Sequence, residues 1–550
     1  MTKTITKQKL QGAYYTPQKL VDFLTSWAIN SKKCQLLEPS CGDGIFLESA
    51  YQKFTSMGAS SKNALSNITA IELDTITFNK TKEKMNTLSK TSQNKTKLFN
   101  DDFFSIFQKK FFNKKFNSVI GNPPFIRYQN FDEKIRERAL VILKEFGFKG
   151  SKLTNIWMPF LVLSSVLLSE NGRLAMVIPA ELLQVNYASD LRQFLASHFA
   201  SITIFTFRKL VFPETQQEIV LLLAEKTSKN HGIKVIELNN IDDLPKNDFS
   251  LINKKGLTSI NHATDKWTQF FLSENEILFL RKLKQNKSVR KLSDFAEVDV
   301  GIVTGRNEFF VINNEVVKNN SLTSYCIPIV GRTNQIKSIN FTKNDWKENN
   351  ENGYNCNLLN FNKTTYSKLN KKTQQYIKDG EKQNFHLGYK CRIRKPWYNV
   401  PSIWVPDAFM YRQINAHPRL VLNESESTTT DTIHRVRINV GIDKKSFVAC
   451  YHNSLTFAFA EIMGRSYGGG VLELEPNEAE KLPIPYFKLN SKIFSKLTNL
   501  LRNENSMEQI LEITDKTILI DKMGLVKSEV VKLRQIRKKL AKRRMERRRC

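Results

Sequence analysis

Up to about residue 225 the chain alternates short apolar runs with stretches of helical period. Seven runs read as strands: 35–38, 68–72, 96–99, 118–121, 173–179, 202–207 and 218–224. Helical patterns fall between most of them, at 17–29, 75–88, 155–169 and 187–197. Such a succession predicts βαβ units, and hence a mostly parallel sheet with helices on both faces. The runs at 202–207 and 218–224 stand too close for a helical crossover, so an antiparallel edge hairpin is expected there. The longest apolar stretch, Ile156 to Leu168, is too short to cross a bilayer and reads as a buried helix. From about Lys226 to Arg290 the chain turns polar and irregular. The expected division is therefore a first domain at 1–245 and a second, α+β in character, at 246–550. The second holds Gly301-Ile302-Val303-Thr304-Gly305 and many short β-like runs.

Composition narrows the function. At 550 residues two domains are expected, and 41% hydrophobic content allows both a core. The formal charge of +31 favours a polyanionic partner, nucleic acid or an anionic membrane surface. No secretory signal is read at Met1 to Leu10, and the seven cysteines form no Cys-x-x-Cys pair. A reduced, cytoplasmic protein without a metal site is the expectation. Residues Val531–Cys550 hold eleven Lys/Arg against one acid, Glu546, so most of the charge lies elsewhere. That segment reads as a basic helix, either gripping phosphates or merely solvated.

Candidate chemistry sits at the strand ends. Asn122-Pro123-Pro124-Phe125 follows the run 116–121. It offers an amide, a carbonyl with no competing N–H and an aromatic face, a set suited to a flat ring bearing an exocyclic amine. By itself Asn-Pro is also an ordinary turn. Upstream, Leu36 to Phe46 reads as strand, tight turn and helix start, with Gly42 and Gly44 permitting close backbone approach. It lacks a full G-x-G-x-x-G and a phosphate-cradling lysine. Glu72, ending the next strand, can accept from both hydroxyls of a ribose, while Asp74 can cap the helix that follows. Asp102 and Phe103 follow the third strand and can meet an adenine amine and its ring. Gly12 to Pro17 precedes a helix, with Thr16 at the N-cap and Pro17 at N1.

In this order the pieces resemble the gamma group (TaqI-like) of N6-adenine DNA methyltransferases of type II restriction-modification systems. The resemblance covers the first ~225 residues, a coverage judged from motif order and spacing. It extends more loosely to Gly301–Asn307 and Arg465–Gly470. It implies a Rossmann-like seven-stranded S-adenosylmethionine-dependent domain followed by an α+β DNA-recognition domain. Thr16, Glu38, Pro39, Cys41 and Gly42 would then hold the methionine end and donor loop. Glu72 would take the ribose, and Asp102 with Phe103 the adenine. Asn122 would meet both cofactor and substrate. Asn122, Pro123 and Phe125 would grip a base rotated out of double-stranded DNA, with Tyr187 on its other face or simply in the core. A monomer is expected, with a cognate restriction endonuclease as genetic partner. N4-cytosine methylation and a non-catalytic DNA-binding module are the alternatives. Tyr389 to Tyr398, interleaving cations and aromatics, suits DNA contact. Asn423 to His434 is polar enough to be a loop.

Overall fold

Eight strands form the sheet of the N-terminal half: β1 (Leu36–Glu38), β2 (Ile68–Glu72), β3 (Lys97–Asn100), β4 (Phe116–Gly121), β5 (Leu168–Pro179), β6 (Ser201–Phe207), β7 (Ile219–Glu225) and β8 (Gly232–Leu238). Their spatial order is β3-β2-β1-β4-β5-β7-β6-β8. Strands β3 through β5 run parallel, β7 is antiparallel to both β5 and β6, and β8 lies parallel to β6. The computed structural model describes residues 16–88, 96–126, 131–148, 155–212, 218–246, 248–254, 256, 265–466, 470–504 and 506–546.

Two expectations are corrected here. The sheet has eight strands, not seven, and the β6–β7 hairpin is not at its edge, because β7 is inserted beside β5 and β8 covers β6. The missed strand lies in the stretch read as irregular. As an edge strand it buries little, so its sequence carries lysine and glutamate and shows a weak apolar signal.

Helices cover the sheet where the apolar period places them. Helix α1 (Gln18–Ala28) buries Leu20, Val21, Phe23, Leu24, Trp27 and Ala28, spaced as one helical face. Further along come α2 (Ile45–Ser56), α3 (Thr75–Leu88), α4 (Phe103–Ile106), α5 (Glu133–Glu145) and α6 (Trp157–Val166). Helix α6 is the apolar stretch anticipated above, and Trp157 through Ser165 are all buried. Lys115 and His198 reach the carbonyls of Val166 and Ser165 at its C-terminus (2.8 and 2.9 Å), where partial negative charge collects. In β5, Leu174 through Ile178 have no exposed surface. Each large apolar side chain among them is worth about 1.5–3 kcal/mol in burial.

The chain divides into two compact units, one running to Glu274 and the other from Asn275. The sequence suggested a division after residue 245. The intervening stretch places Ile252 in the core beneath the eight-stranded sheet and Trp267 in full burial.

In the second unit, five strands lie in the order Ala296–Asp299, Ile433–Ile438, Ala408–Tyr411, Leu420–Glu424 and Asn340–Thr342. A four-stranded sheet includes Thr428–Thr429. The expected loop at 423–434 is thus in part strand and mostly buried. Ser425, Ser427, Thr428, Thr429 and Thr430 are each at most 4% exposed. The hydroxyls of Ser425, Ser427, Thr429 and Thr430 find partners inside the unit, as between Ser425 and Ser427 and from Thr430 to the Gly331 carbonyl. Gly301 is packed against this segment so closely that a Cβ there would lie 1.9 Å from the Thr430 carbonyl oxygen.

The basic C-terminal segment is helical, as expected. It belongs to helix α8 (Lys527–Glu546), which packs along α7 (Ser454–Met463). Its cations mostly turn to protein acids: Arg534 to Asp515, Arg537 to Glu508 and Arg544 to Glu461. Lys538, Lys539 and Lys542 also lie within 4 Å of a carboxylate. The arginines among them are drawn into the protein, while Lys538, Lys539 and Lys542 stay at least half exposed or nearly so. Residues 547–550 lie outside the described residues.

Candidate active site at the strand ends

The carboxyl ends of β1, β2 and β4 converge on one polar cradle. In open α/β sheets this is the end where ligands bind. Gly42 and Gly44 take positive φ (+52° and +78°), which turns the chain sharply from β1 into α2. A Cβ on Gly44 would come within 2.8 Å of the Thr81 methyl. Thr81, on α3, also donates to the Gly42 carbonyl (2.6 Å), a support that no motif signals in the sequence. The turn is tied to β2 as well, since Cys41 N–H donates to the Ile71 carbonyl (2.9 Å). Cys41 is buried, and burial, with Glu38 and Glu72 nearby, pushes its thiol well up.

Glu72 accepts from Gly42 N–H (2.9 Å) and Asp74 N–H (2.8 Å), so its carboxylate is held at the mouth of the turn. Its pKa is raised, chiefly by burial. Asp74 takes the capping role, accepting from Thr77 N–H at the start of α3. Glu38 is almost wholly buried beside Pro39 and Gly121. Its carboxyl is pushed well above the usual range by burial, then by Asp43 and Glu72. Its Oε2 has no hydrogen-bond partner among the described residues. A buried carboxyl oxygen without a partner is costly, and a cationic ligand group, which would restore the ionised form, is its complement.

Asn122 leaves β4 directly after Gly121, whose φ of +149° favours glycine. Its Nδ2 donates to the Thr16 hydroxyl at 3.2 Å, across 106 positions of sequence. Its Oδ1 is buried and has no partner among the described residues. Pro123 is buried, and Phe125 is half-buried against the core. Thr16 does not cap α1; Pro17 is the N-cap residue and makes no side-chain cap. Tyr15 lies outside the described residues.

The remaining expected residues have protein partners. Asp102 caps α4, accepting from Phe104 N–H (3.1 Å) and Ser105 N–H (3.2 Å), and it also pairs with Arg138 of α5. No motif in the sequence announces that arginine. Phe103 is buried and stacks on Phe160 with centroids 5.2 Å apart. Tyr187 follows β5 in a short helical turn, and its hydroxyl donates to Glu181. Among the described residues no group of three or more His, Cys, Asp or Glu is arranged to hold a metal ion. No helix among them is long and apolar enough to cross a membrane.

The second unit carries a separate basic and aromatic face. Arg394 donates to the Thr304 and Val303 carbonyls (2.6 and 2.7 Å), locking 389–395 onto the Gly301–Asn307 loop. Around this anchor Tyr389 (66%) and Ile393 (59%) stand exposed. Exposed Arg306, Lys390, Arg392 and Lys395 surround them, with no acid within salt-bridge distance among the described residues. Residues 467–469 of the expected Arg465–Gly470 motif lie outside the described residues, and Arg465 pairs with Glu478.

Fold and cradle together define a mixed α/β protein whose N-terminal sheet presents a glycine turn and a polar candidate site at its strand ends. The chain belongs to the Eco57I-like type II restriction-modification methyltransferases. The family model described as Eco57I restriction-modification methylase matches residues 2–212, and that of the C-terminal domain of type II methyltransferase M.Eco57I matches 264–519. Among similar proteins, type II methyltransferase M.AccI of Acinetobacter calcoaceticus is 25% identical over 94% of this chain and 94% of its own. M.HindII of Haemophilus influenzae is 21% identical over 94% of this chain and 98% of its own. Of solved structures, the type IIL restriction-modification enzyme MmeI in complex with DNA shares the fold. Its TM-score is 0.60 and its identity 12%, covering 96% of this chain and 75% of that one.

Proposed function

We propose that the protein transfers a methyl group from S-adenosylmethionine to the N6 amine of an adenine rotated out of double-stranded DNA. The observation that carries this reading is Asn122 Oδ1, a buried acceptor without a partner, at the end of β4 and followed by two prolines. Each unsatisfied buried acceptor costs about 1–3 kcal/mol, so an orphan of this kind calls for a donor that arrives with a ligand.

The cradle fits the cofactor by its donor set. Glu38, with its orphaned oxygen, suits a cationic amino group, and Glu72 suits the ribose hydroxyls. Asp102 would accept the adenine amine while keeping its cap and its pair with Arg138. When bound, S-adenosylmethionine supplies an electrophilic methyl on a sulfonium. The chain's part is to prepare the nucleophile. Asn122 Oδ1 and the Pro123 carbonyl each accept one hydrogen of the adenine amine. This draws the nitrogen toward tetrahedral geometry and turns its lone pair out of ring conjugation. Pro123 and Pro124 fix the backbone and remove competing N–H groups. Phe125 lies against the base and Tyr187 meets its far face, so catalysis rests on positioning and electrostatics.

A target atom inside a duplex is unreachable unless its nucleotide is extruded, at a cost of a few kcal/mol. Contacts elsewhere must offset that cost. The exposed face around Tyr389 and Ile393, with Arg306, Lys390, Arg392 and Lys395, is suited to do so. The kinship with M.AccI and the shared fold with MmeI support DNA as the substrate. On this reading the protein acts as a monomer beside a cognate restriction endonuclease. The decisive experiment incubates the protein with duplex DNA and labelled donor, then separates the nucleosides. N6-methyladenine is expected from the wild type and none from Asn122→Ala, which still binds the donor. Label on cytosine N4 would move the specificity, and full turnover by Asn122→Ala would remove the mechanism.

A further inference from the structure

A carboxamide has a polarity problem that its shape does not solve. Its oxygen and nitrogen are nearly the same size, so a rotation about χ2 exchanges an acceptor for a donor with almost no change in packing. If the nitrogen of Asn122 faced the substrate, it would present N–H to an amine that also needs to donate. Something in the protein has to fix which end points inward.

Thr16 is placed to do this. It is 5% exposed, lies immediately before Pro17, and is not spent on capping α1. Its Oγ1 accepts from Asn122 Nδ2 at 3.2 Å, while Asn122 Oδ1 is left buried and unmatched. We propose that Thr16 is a positioning residue, whose hydroxyl holds the Asn122 amide with its oxygen toward the amine to be methylated. This inference rests on the methyltransferase reading and differs from the role that family resemblance suggests, a contact with the methionine end of the cofactor.

The test separates these roles. Thr16→Val keeps the shape and removes the acceptor, Thr16→Ala is a second variant should the first fold poorly, and Thr16→Ser restores the hydroxyl. With labelled S-adenosylmethionine and duplex DNA, Thr16→Val is expected to lower kcat about tenfold or more, equivalent to about 1.4 kcal/mol of barrier. KM for the donor stays near wild type, and Thr16→Ser recovers most of the rate. A second readout needs no turnover. In spectra of protein labelled with 15N only at asparagine, the side-chain NH2 pair missing from Asn122→Ala identifies Asn122. That pair is expected to shift in Thr16→Val and to return in Thr16→Ser. An unmoved pair, a defect carried by donor KM alone, or a Thr16→Ser as impaired as Thr16→Val would each overturn the proposal. Wild-type protein that methylates nothing would instead sink the methyltransferase reading, while the spectra would still judge the Thr16 contact.

Discussion

Truncating Arg544 to alanine should unfold the C-terminal unit early, although the residue sits in a segment rich in exposed charge. The Arg544 and Glu461 side chains are only 2% and 4% exposed. The guanidinium meets both carboxylate oxygens, at 3.0 and 2.8 Å, and also donates to the Gly470 carbonyl. Arg544→Ala leaves Glu461 charged, buried and without its cation, a change that typically costs about 3–5 kcal/mol. The exposed pair Lys542–Glu546 lies 3.6 Å apart on the same helix and should be worth about 0–1 kcal/mol. At about 2 °C per kcal/mol for a unit of this size, Arg544→Ala should lower the melting midpoint by roughly 6–10 °C. Lys542→Ala should leave it nearly unchanged. Thermal unfolding followed by circular dichroism makes the comparison, and Glu461→Leu combined with Arg544→Met should recover much of the deficit. If Arg544→Ala melted with Lys542→Ala, the structural account of this helix would be wrong. A weaker salt dependence of DNA binding with stability intact would point back to a phosphate clamp.

Two further outcomes are expected. The carboxyl of Glu38 has its pKa raised by burial above the ordinary 4.5, so the folded state favours its protonated form. Its contribution to stability is then full below about pH 4.5 and lost as pH rises through the folded value. Glu38→Gln should therefore melt above wild type at pH 8 without ligand and level with it near pH 4.5, while losing affinity for the donor; equal midpoints at every pH would refute this. Replacing Arg306, Lys390, Arg392 and Lys395 together by glutamine should reduce the slope of log K against log[salt] for duplex binding by ~0.9 for each phosphate no longer neutralised. Parallel lines for variant and wild type would show that this face does not meet DNA.

The sequence made the parallel core legible because buried strands leave long apolar signatures. Strands β1 to β7 and the apolar α6 stand where the runs fall. Apart from the weakly apolar edge strand β8, what escaped is mostly polar residues whose partners are set by the fold. The hydroxyl-rich stretch 425–430 reads as solvent-seeking, yet the hydroxyls of Ser425, Ser427, Thr429 and Thr430 find partners inside the unit. The arginines of α8 read as surface charge, yet their acids come from 461, 508 and 515. At the candidate site, the strand-end acids and Asn122 are legible in the sequence by type and order. Arg138 beside Asp102 and Thr16 beside Asn122 depend on tertiary placement, which spacing does not encode.

The position of β7 bears on how this protein can be cut. Because β6 reaches β5 only through β7, a fragment ending at residue 212, where the first family model stops, would keep β6 yet give it neither neighbour. It would also bare the edge of β5 that pairs with β7, from Arg173 to Pro179, an open template for pairing with other copies. Residue 238, the last of β8, is the earliest point at which every strand of the sheet has its neighbours.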